Sequence, residues 1–396
     1  MNNFWDIIII GGGIAGFSAA KTLRELSPAT TLLLINGEDR IPYKRTKISK
    51  FIHTGFETNQ FQMQPEKWYQ EQHIDVVTGS MVVSVEPDFH TLTLDNGKEC
   101  GWGKLILTTG ARPAFPEQIT YGEQGVYGVR NAREVEQLIQ DVRQHVDTVL
   151  VVGMGVLGME AAEQLQQLRK HVIMVGSSSS LMPNQLNAVA AGLLKTCCEQ
   201  EKIRLLFQEK IDSLIRHSDQ PFEAALQHSS VLADLVLICV GVIPNSTLAQ
   251  NAGLDVGHGI LVNEYLQTSH PDIWAAGDVA EHPGGYKTGL WHAAELQGTL
   301  AGQNALGHAV PYDKRPFRVK CEVFGHYFFS LNKPPDAELS QYAIAENRDE
   351  HLYQCFYYQE DVLKGVIMVN DKARAKLYER AVREGWQKTR VQDVFL

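Results

Sequence analysis

The sequence holds only six cysteines in 396 residues, and no two stand in the C-x-x-C spacing of a dithiol or metal site. The first is Cys100, so no thiol precedes it. Cys197 and Cys198 are adjacent, and a helix interior is the better home for them than a redox centre. Cys239 lies inside the apolar run LVLICVG as a buried small hydrophobe. No apolar run approaches the length of a membrane span, and the start MNNFWD lacks the basic, apolar and small-residue pattern of a secretory leader. A cytoplasmic protein without membrane attachment is expected. Positive charge is not in excess either. The formal charge of −10 argues against general nucleic-acid binding, which needs a basic field, and leaves room only for local basic patches.

What the chain does contain begins at Asp6–Gly16, DIIIIGGGIAG. Four consecutive isoleucines, Ile7 to Ile10, are too apolar for a half-exposed strand and read as a central strand of a parallel sheet. Gly11, Gly13 and Gly16 follow in G-x-G-x-x-G spacing, and Phe17 to Leu26 continues at helical spacing with Leu23 and Leu26 facing inward. The glycines would make a tight turn, let the backbone approach a pyrophosphate, and pack helix against strand. The helix N-terminus supplies free N–H groups for phosphates. A second strand, Thr31 to Ile35, leads to Glu38, about 20 residues past the last glycine, where a ribose hydroxyl partner belongs. Asp39 is the rival for that place.

The arrangement recurs. Thr148 to Val152 is another apolar strand, followed by Gly153, Gly155 and Gly158 in GMGVLG and by a helix through Met159, Ala161, Ala162 and Leu165. Two dinucleotide sites imply two dinucleotides: a flavin that receives hydride and the nicotinamide that donates it. The second strand of this copy, His171 to Val175, ends in Gly176 and Ser177 to Ser180 with no acid. A carboxylate there would hold the ribose of NADH and repel the extra phosphate of NADPH, and an arginine would attract that phosphate. The chain has neither, so the coenzyme is NADH or NADPH. The serine run either hydrogen-bonds a phosphate or is a flexible loop.

Other stretches carry paired readings. Ile41 to Lys50, IPYKRTKISK, is either a solvated basic loop or a segment whose cation stabilises an anionic reduced flavin, with Lys50 preferred. Val76 to Leu94 alternates as strand and closes on the turn Asp95-Asn96-Gly97, a hairpin signal. Lys104 to Pro113 is a strand whose end, Thr108, Thr109 and Gly110, either passes close to a cofactor or simply turns. Glu160 is either a surface helix position or a carboxylate that pairs with Lys50 and positions a nicotinamide. Asp278, after Gly277 at a strand end, accepts from a ribityl hydroxyl or caps the next helix. That helix is expected from Tyr286 to Leu306, with Trp291 either in the core or stacked on a ring. From about Pro316 strand-like aromatic runs precede a terminal helix, Ala373 to Glu384, as in a small α+β domain.

Taken in order, GGGIAG, PYKRTKISK, LTTGARP, VVGMGVLGMEAA, VGVIPN, GILVNEYLQTS and IWAAGDVAE resemble the flavoprotein reductases related to the pyridine nucleotide-disulfide oxidoreductases, in the branch of rubredoxin and ferredoxin reductases. The resemblance covers nearly the whole chain. It implies an α/β fold with two Rossmann-like dinucleotide-binding domains, the NAD(P) domain (116–242) inserted in an FAD domain (1–115 and 243–315), and a C-terminal α+β domain (316–396). It places Gly11, Gly13, Gly16 and Glu38 on the ADP half of FAD, Arg45 and Lys50 beside the flavin, and Thr109, Gly110 and Arg112 in a threonine-glycine turn. It places Gly277 and Asp278 near the ribityl and phosphate groups and Trp291 near the flavin ring. Gly153, Gly155, Gly158 and Glu160 fall at the nicotinamide nucleotide, and Lys50 and Glu160 would act in catalysis.

The chain departs from that pattern where it matters. Disulfide reductases place redox cysteines along the segment filled here by Pro42 to Lys50, so thiol-based chemistry is not expected. The resemblance therefore implies hydride transfer from NAD(P)H to FAD and onward electron transfer to a small iron-sulfur carrier, a rubredoxin or ferredoxin. Such carriers are usually acidic, so docking would use a local basic face, with Lys44, Arg45, Lys47, Lys314, Arg315, Arg318 and Lys320 as candidates. Direct reduction of oxygen or a quinone, and a redox-sensing interaction role, are the alternatives. No metal, nucleic acid or membrane is expected to be bound, and the protein would be a monomer or homodimer.

Overall fold

The four isoleucines are buried on both faces of a parallel sheet, with Ile8 opposite Leu33 on one side and Leu105 on the other. That environment explains the unbroken apolar run, since no position faces water. The computed structural model describes residues 3–56, 61–120, 122–144, 146–216, 221–286, 288–349 and 352–396. The chain divides into two compact units, one of Met1–Lys47, Phe56–Arg112 and Val242–Lys314, the other of Ile48–Gly55, Pro113–Gly241 and Arg315–Leu396.

In the first unit the strands run in the order Ile74–Thr78, Leu32–Asn36, Phe4–Ile10 and Glu99–Leu107, all parallel. The outer edge of Glu99–Leu107 is shared. Ile273–Ala275 pairs in parallel with Leu105 to Leu107, while Thr91–Leu94 pairs antiparallel with Gly101 to Glu99 through the turn at Asp95-Asn96-Gly97. Gly97 has φ +80°, which a hairpin turn of this kind requires. Helix Ile14–Leu26 crosses helix Trp291–Ala305. A methyl group on Gly298 would lie 2.1 Å from the Ala15 carbonyl oxygen, so only glycine lets these helices approach so closely.

The second unit repeats the plan. Its parallel sheet runs Arg204–Phe207, His171–Gly176, Thr148–Val152, Leu235–Ile238 and Val126–Tyr127. A three-stranded antiparallel sheet, Ile211–Arg216, Phe222–Leu226 and Ser230–Ala233, is inserted before the fourth of these strands. The C-terminal part is a five-stranded antiparallel sheet in the order Val319–Val323, His326–Leu331, Val362–Val369, Tyr353–Gln359 and Ala343–Arg348, with helices Ala375–Arg383 and Lys388–Phe395. Tyr378, Trp386 and Phe395 join the sheet's aromatic face in one core.

The α/β class with parallel dinucleotide-binding sheets agrees with the sequence expectation, and some boundaries differ. Leu23 is buried but Leu26, the last residue of its helix, is exposed. The helix expected from Tyr286 starts at Trp291, and position 287 lies outside the described residues. The terminal helix expected over Ala373 to Glu384 is present as Ala375–Arg383, and beyond Gly385, at φ +60°, a further helix that was not expected, Lys388–Phe395, follows. Among the described residues no helix is long and apolar enough to cross a membrane.

Candidate functional site

The first glycine turn is shaped by close backbone contact. Gly11 has φ +120°, and a methyl group on it would lie 2.1 Å from the Thr108 carbonyl oxygen. One on Gly16 would lie 2.0 Å from the Gly11 carbonyl oxygen. Nothing lies within 4 Å of such a methyl on Gly13, which is the N-cap of helix Ile14–Leu26. Two glycines are thus dictated by packing, and the third leaves open space at a helix N-terminus, as a pyrophosphate needs. Thr108 closes the turn, its Oγ donating within 3.0 Å of the carbonyls of Ile10 and Gly11.

Glu38, just past the strand Leu32–Asn36, accepts from the Tyr43 hydroxyl at 2.7 Å and forms an ion pair with Arg45. Burial alone would lower the Arg45 pKa, but Tyr43, Glu38 and the more distant Asp278 outweigh it and hold the guanidinium above its ordinary value. Asp39 instead is exposed and pairs with Arg40 at 3.2 Å. Asp278 is half-buried and is followed by the short strand Ala280–Glu281, not by a helix it could cap; helix Trp291–Ala305 has Leu290 as its N-cap. Gly277, at φ +83°, donates its N–H to Gln297 Oε1 at 2.7 Å. Thr109 and Asn245 exchange two hydrogen bonds of 2.8 and 2.9 Å, and Gly110 turns at φ +65°. Arg112 is exposed, and Trp291 is half-buried at its helix start. Thus Glu38, Arg45 and Asp278 are brought together electrostatically. Tyr43 and Asn245 lie in the stretches PYKRTKISK and VGVIPN but were given no role there, and Gln297 carried no sequence signal, because its partner Gly277 lies 20 residues away.

The second turn has the same steric logic. Gly153 has φ +118°, and a methyl group on it would lie 2.3 Å from the Cys239 carbonyl oxygen. One on Gly158 would lie 2.2 Å from the Gly153 carbonyl oxygen, while Gly155 is open and is the N-cap of Val156–Gln167. On that helix Glu160 is half-buried and accepts from Ser49 Oγ at 2.7 Å. Burial pushes its carboxyl above the ordinary value, opposed by the Ser49 hydrogen bond and by the charges of Lys50 and Lys320, and reinforced by Glu163. Lys50 itself is exposed. Glu160 is therefore neither a plain surface residue nor directly hydrogen-bonded to Lys50: Ser49 makes the bond, and Lys50 contributes charge. Ser49 lies next to the residue that sequence reasoning chose, and a hydroxyl in a basic segment was the available signal.

Two of the candidate basic-face residues are already committed, since Arg45 pairs with Glu38 and Arg318 with Glu379. All six cysteines are free and buried. Burial raises every thiol pKa, that of Cys198 and Cys239 to about 12 and that of Cys355 to about 11. Thiolate chemistry is thereby suppressed.

Residues 5–298 match the family described as pyridine nucleotide-disulphide oxidoreductase. The chain belongs to this family. The family is one of oxidoreductases that use FAD and NAD(P)H, and the two open glycine turns of this chain fit two dinucleotides. The chain is 29% identical over 369 residues to the assimilatory nitrate reductase electron transfer subunit of Bacillus subtilis (strain 168), covering 92% of this chain and 47% of the relative. It is 29% identical over 297 residues to rhodocoxin reductase of Rhodococcus erythropolis, covering 74% and 69%. The ferredoxin reductase for the CYP199A2 system of Rhodopseudomonas palustris superposes with a TM-score of 0.89 at 25% identity, covering 99% of this chain and 98% of that one. The chain spans about half the length of a curated relative that it matches over nearly its full extent.

Proposed function

We propose that this chain is an FAD-dependent NAD(P)H reductase that delivers electrons to a small iron-sulfur protein of the rubredoxin or ferredoxin type. FAD, when bound, supplies a hydride acceptor that can release its two electrons singly. The FAD-binding region is assigned to 1–115 and 243–315, with Gly11, Gly13 and Gly16 at the pyrophosphate. Glu38, Arg45, Thr109, Gly110, Arg112, Gly277, Asp278 and Trp291 are assigned to the rest of that cofactor. The NAD(P)H region is assigned to 116–242, where Gly153, Gly155 and Gly158 take the pyrophosphate and Glu160, with the charge of Lys50, orients the nicotinamide. Residues 316–396 form the C-terminal part.

The observation that carries the reading is the combination of two open dinucleotide turns with six thiols made unreactive by burial. Electrons that enter from a nicotinamide then have no thiol relay to use and must leave directly. Relatives named as a rhodocoxin reductase and a ferredoxin reductase support an iron-sulfur acceptor. Anaerobic stopped-flow mixing with NADH or NADPH, followed by mixing with rubredoxin, ferredoxin, a quinone or oxygen, tests the reading. Rapid bleaching and rapid reoxidation by an iron-sulfur carrier is expected. Rapid bleaching followed by reoxidation only by oxygen or a quinone would replace it with direct reduction of a small acceptor, and slow bleaching by both coenzymes would favour a sensing role.

A further inference from the structure

The two glycine turns solve one packing problem in opposite ways. Gly11 N–H donates to the Ile35 carbonyl at 2.8 Å, and Gly153 N–H donates to the Val175 carbonyl at 2.8 Å. The next residues, Asn36 and Gly176, therefore occupy equivalent places at the ends of their strands. A methyl group on Gly12 would lie 2.5 Å from Cγ of Asn36, so the strand residue fills the shared space and the turn residue must be glycine. In the second turn the roles are exchanged. Met154 fills the space, buried to 4% exposure, and a methyl group on Gly176 would lie 2.9 Å from its Cγ.

The exchange alters the loop beyond each strand. Asn36 donates to the Arg40 carbonyl at 2.7 Å, which ties down the loop that carries Glu38. Beyond Gly176 the loop is Ser177 to Ser180, and Ser178, in the place of Glu38, donates its hydroxyl to the Ser180 carbonyl at 2.7 Å. Glu209, whose N–H donates to the Gly176 carbonyl at 3.1 Å, is buried, and its carboxylate is occupied by His228 N–H at 2.9 Å and Ser229 Oγ at 2.8 Å. No carboxylate is thus presented by 176–180, and Met154 leaves no room for one at 176.

We infer that the second turn accepts a 2′-phosphorylated nicotinamide nucleotide at least as well as the unphosphorylated one, and that Met154 is the specificity-determining residue that makes it so. A fixed carboxylate at this strand end rejects the 2′-phosphate by repulsion. With that charge absent, the hydroxyls of Ser177, Ser179 and Ser180 and the backbone N–H groups of this loop offer neutral donors to ribose hydroxyl and phosphate alike, the Ser178 hydroxyl being held by the Ser180 carbonyl. The inference rests on the reading of the second turn as the nicotinamide nucleotide site.

Calorimetric titration of the FAD-loaded protein with NADP⁺ and NAD⁺ tests it without turnover. NADP⁺ is expected to bind no more weakly than NAD⁺. Binding of NAD⁺ by about tenfold or more in preference would overturn the inference and leave the site assignment standing, whereas binding of neither by FAD-loaded protein would overturn both. The double variant Met154→Gly with Gly176→Asp recreates the division of space seen in the first turn. It is expected to weaken NADP⁺ at least about tenfold while NAD⁺ holds. Gly176→Asp alone should weaken both nucleotides, because its Cβ meets Met154. If the single variant acquires the selectivity of the double one, Met154 does not set the preference.

Discussion

The two turns share backbone and differ in what surrounds it. In each, the first glycine lies against the carbonyl of a neighbouring strand, Thr108 in one and Cys239 in the other, and the third lies against the carbonyl of the first. Backbone atoms therefore impose both pairs of glycines, independently of the ligand. The surroundings diverge: Thr108 adds hydroxyl bonds to the first turn, and Glu38 with Arg45 stands beyond it. Cys239 only fills space, and serines stand beyond the second turn. A shared glycine pattern thus reports the turn, and the flanking residues report the ligand.

The largest expected effect comes from applying one insult to both turns. Gly16→Ala and Gly158→Ala each place a methyl about as close to a backbone carbonyl, and over-packing of this kind costs ~1–3 kcal/mol or more. Gly16→Ala should purify with FAD occupancy reduced at least about tenfold. Gly158→Ala should stay yellow and lose nicotinamide nucleotide affinity to a similar extent. Absorbance of the purified proteins and calorimetric titration distinguish these outcomes. Loss of FAD from both variants would break the comparison.

A smaller effect is expected beside the first turn alone. Arg45→Ala removes the ion-pair partner of the part-buried Glu38, and a pair about three-quarters buried warrants a discounted cost of ~1–2 kcal/mol. FAD affinity, measured by fluorescence recovery on reconstitution, should fall about tenfold. Nucleotide affinity at the second turn should not change. Equal weakening of both would mean that Arg45 supports the whole protein, not one site.

Much of this was legible because it depends on local spacing. Ile7 to Ile10, the two glycine triplets and the Asp95-Asn96-Gly97 turn each declare their conformation within a few residues. The hidden features depend on partners far along the chain. Ser49 meets Glu160, Asn245 locks Thr109, and Gln297 holds the Gly277 N–H, and none of these pairings leaves a periodic trace. Met154 was equally silent, since a methionine after a glycine reads as core until Gly176 is seen to lie under it. The later helix start at Trp291 and the further helix Lys388–Phe395 were missed because neither start declares itself: Leu290 and Gln387 make no side-chain capping bond.

The units should also differ in the sign of their response to acid. In the first, His282 is 2% exposed, and burial, with Lys314 adding to it, lowers its pKa from 6.5 to about 4. Between these values the unfolded chain binds the proton and the folded unit resists it, so stability is lost as pH falls from 6.5 toward 4, with a slope of at most ~1.4 kcal/mol per pH unit. His282→Phe, which keeps a ring against Tyr312, should flatten that loss. In the second unit, Glu160 is held above 4.5, first by burial. Its folded form binds the proton more tightly, so this group favours the folded state as pH falls through the raised value toward 4.5. Hydrogen exchange resolved by peptide, corrected for intrinsic rates, should therefore show the first unit opening more readily at pH 5 than at pH 7. Peptides around Glu160 should be spared. Glu160→Gln, which cannot ionise, should raise the melting temperature at pH 7 by on the order of 2 °C, and the gain should shrink as pH falls toward 4.5. A gain that instead grew with acid would mean that the Ser49 hydrogen bond and the Lys50 charge stabilise the ionised carboxylate more than burial penalises it.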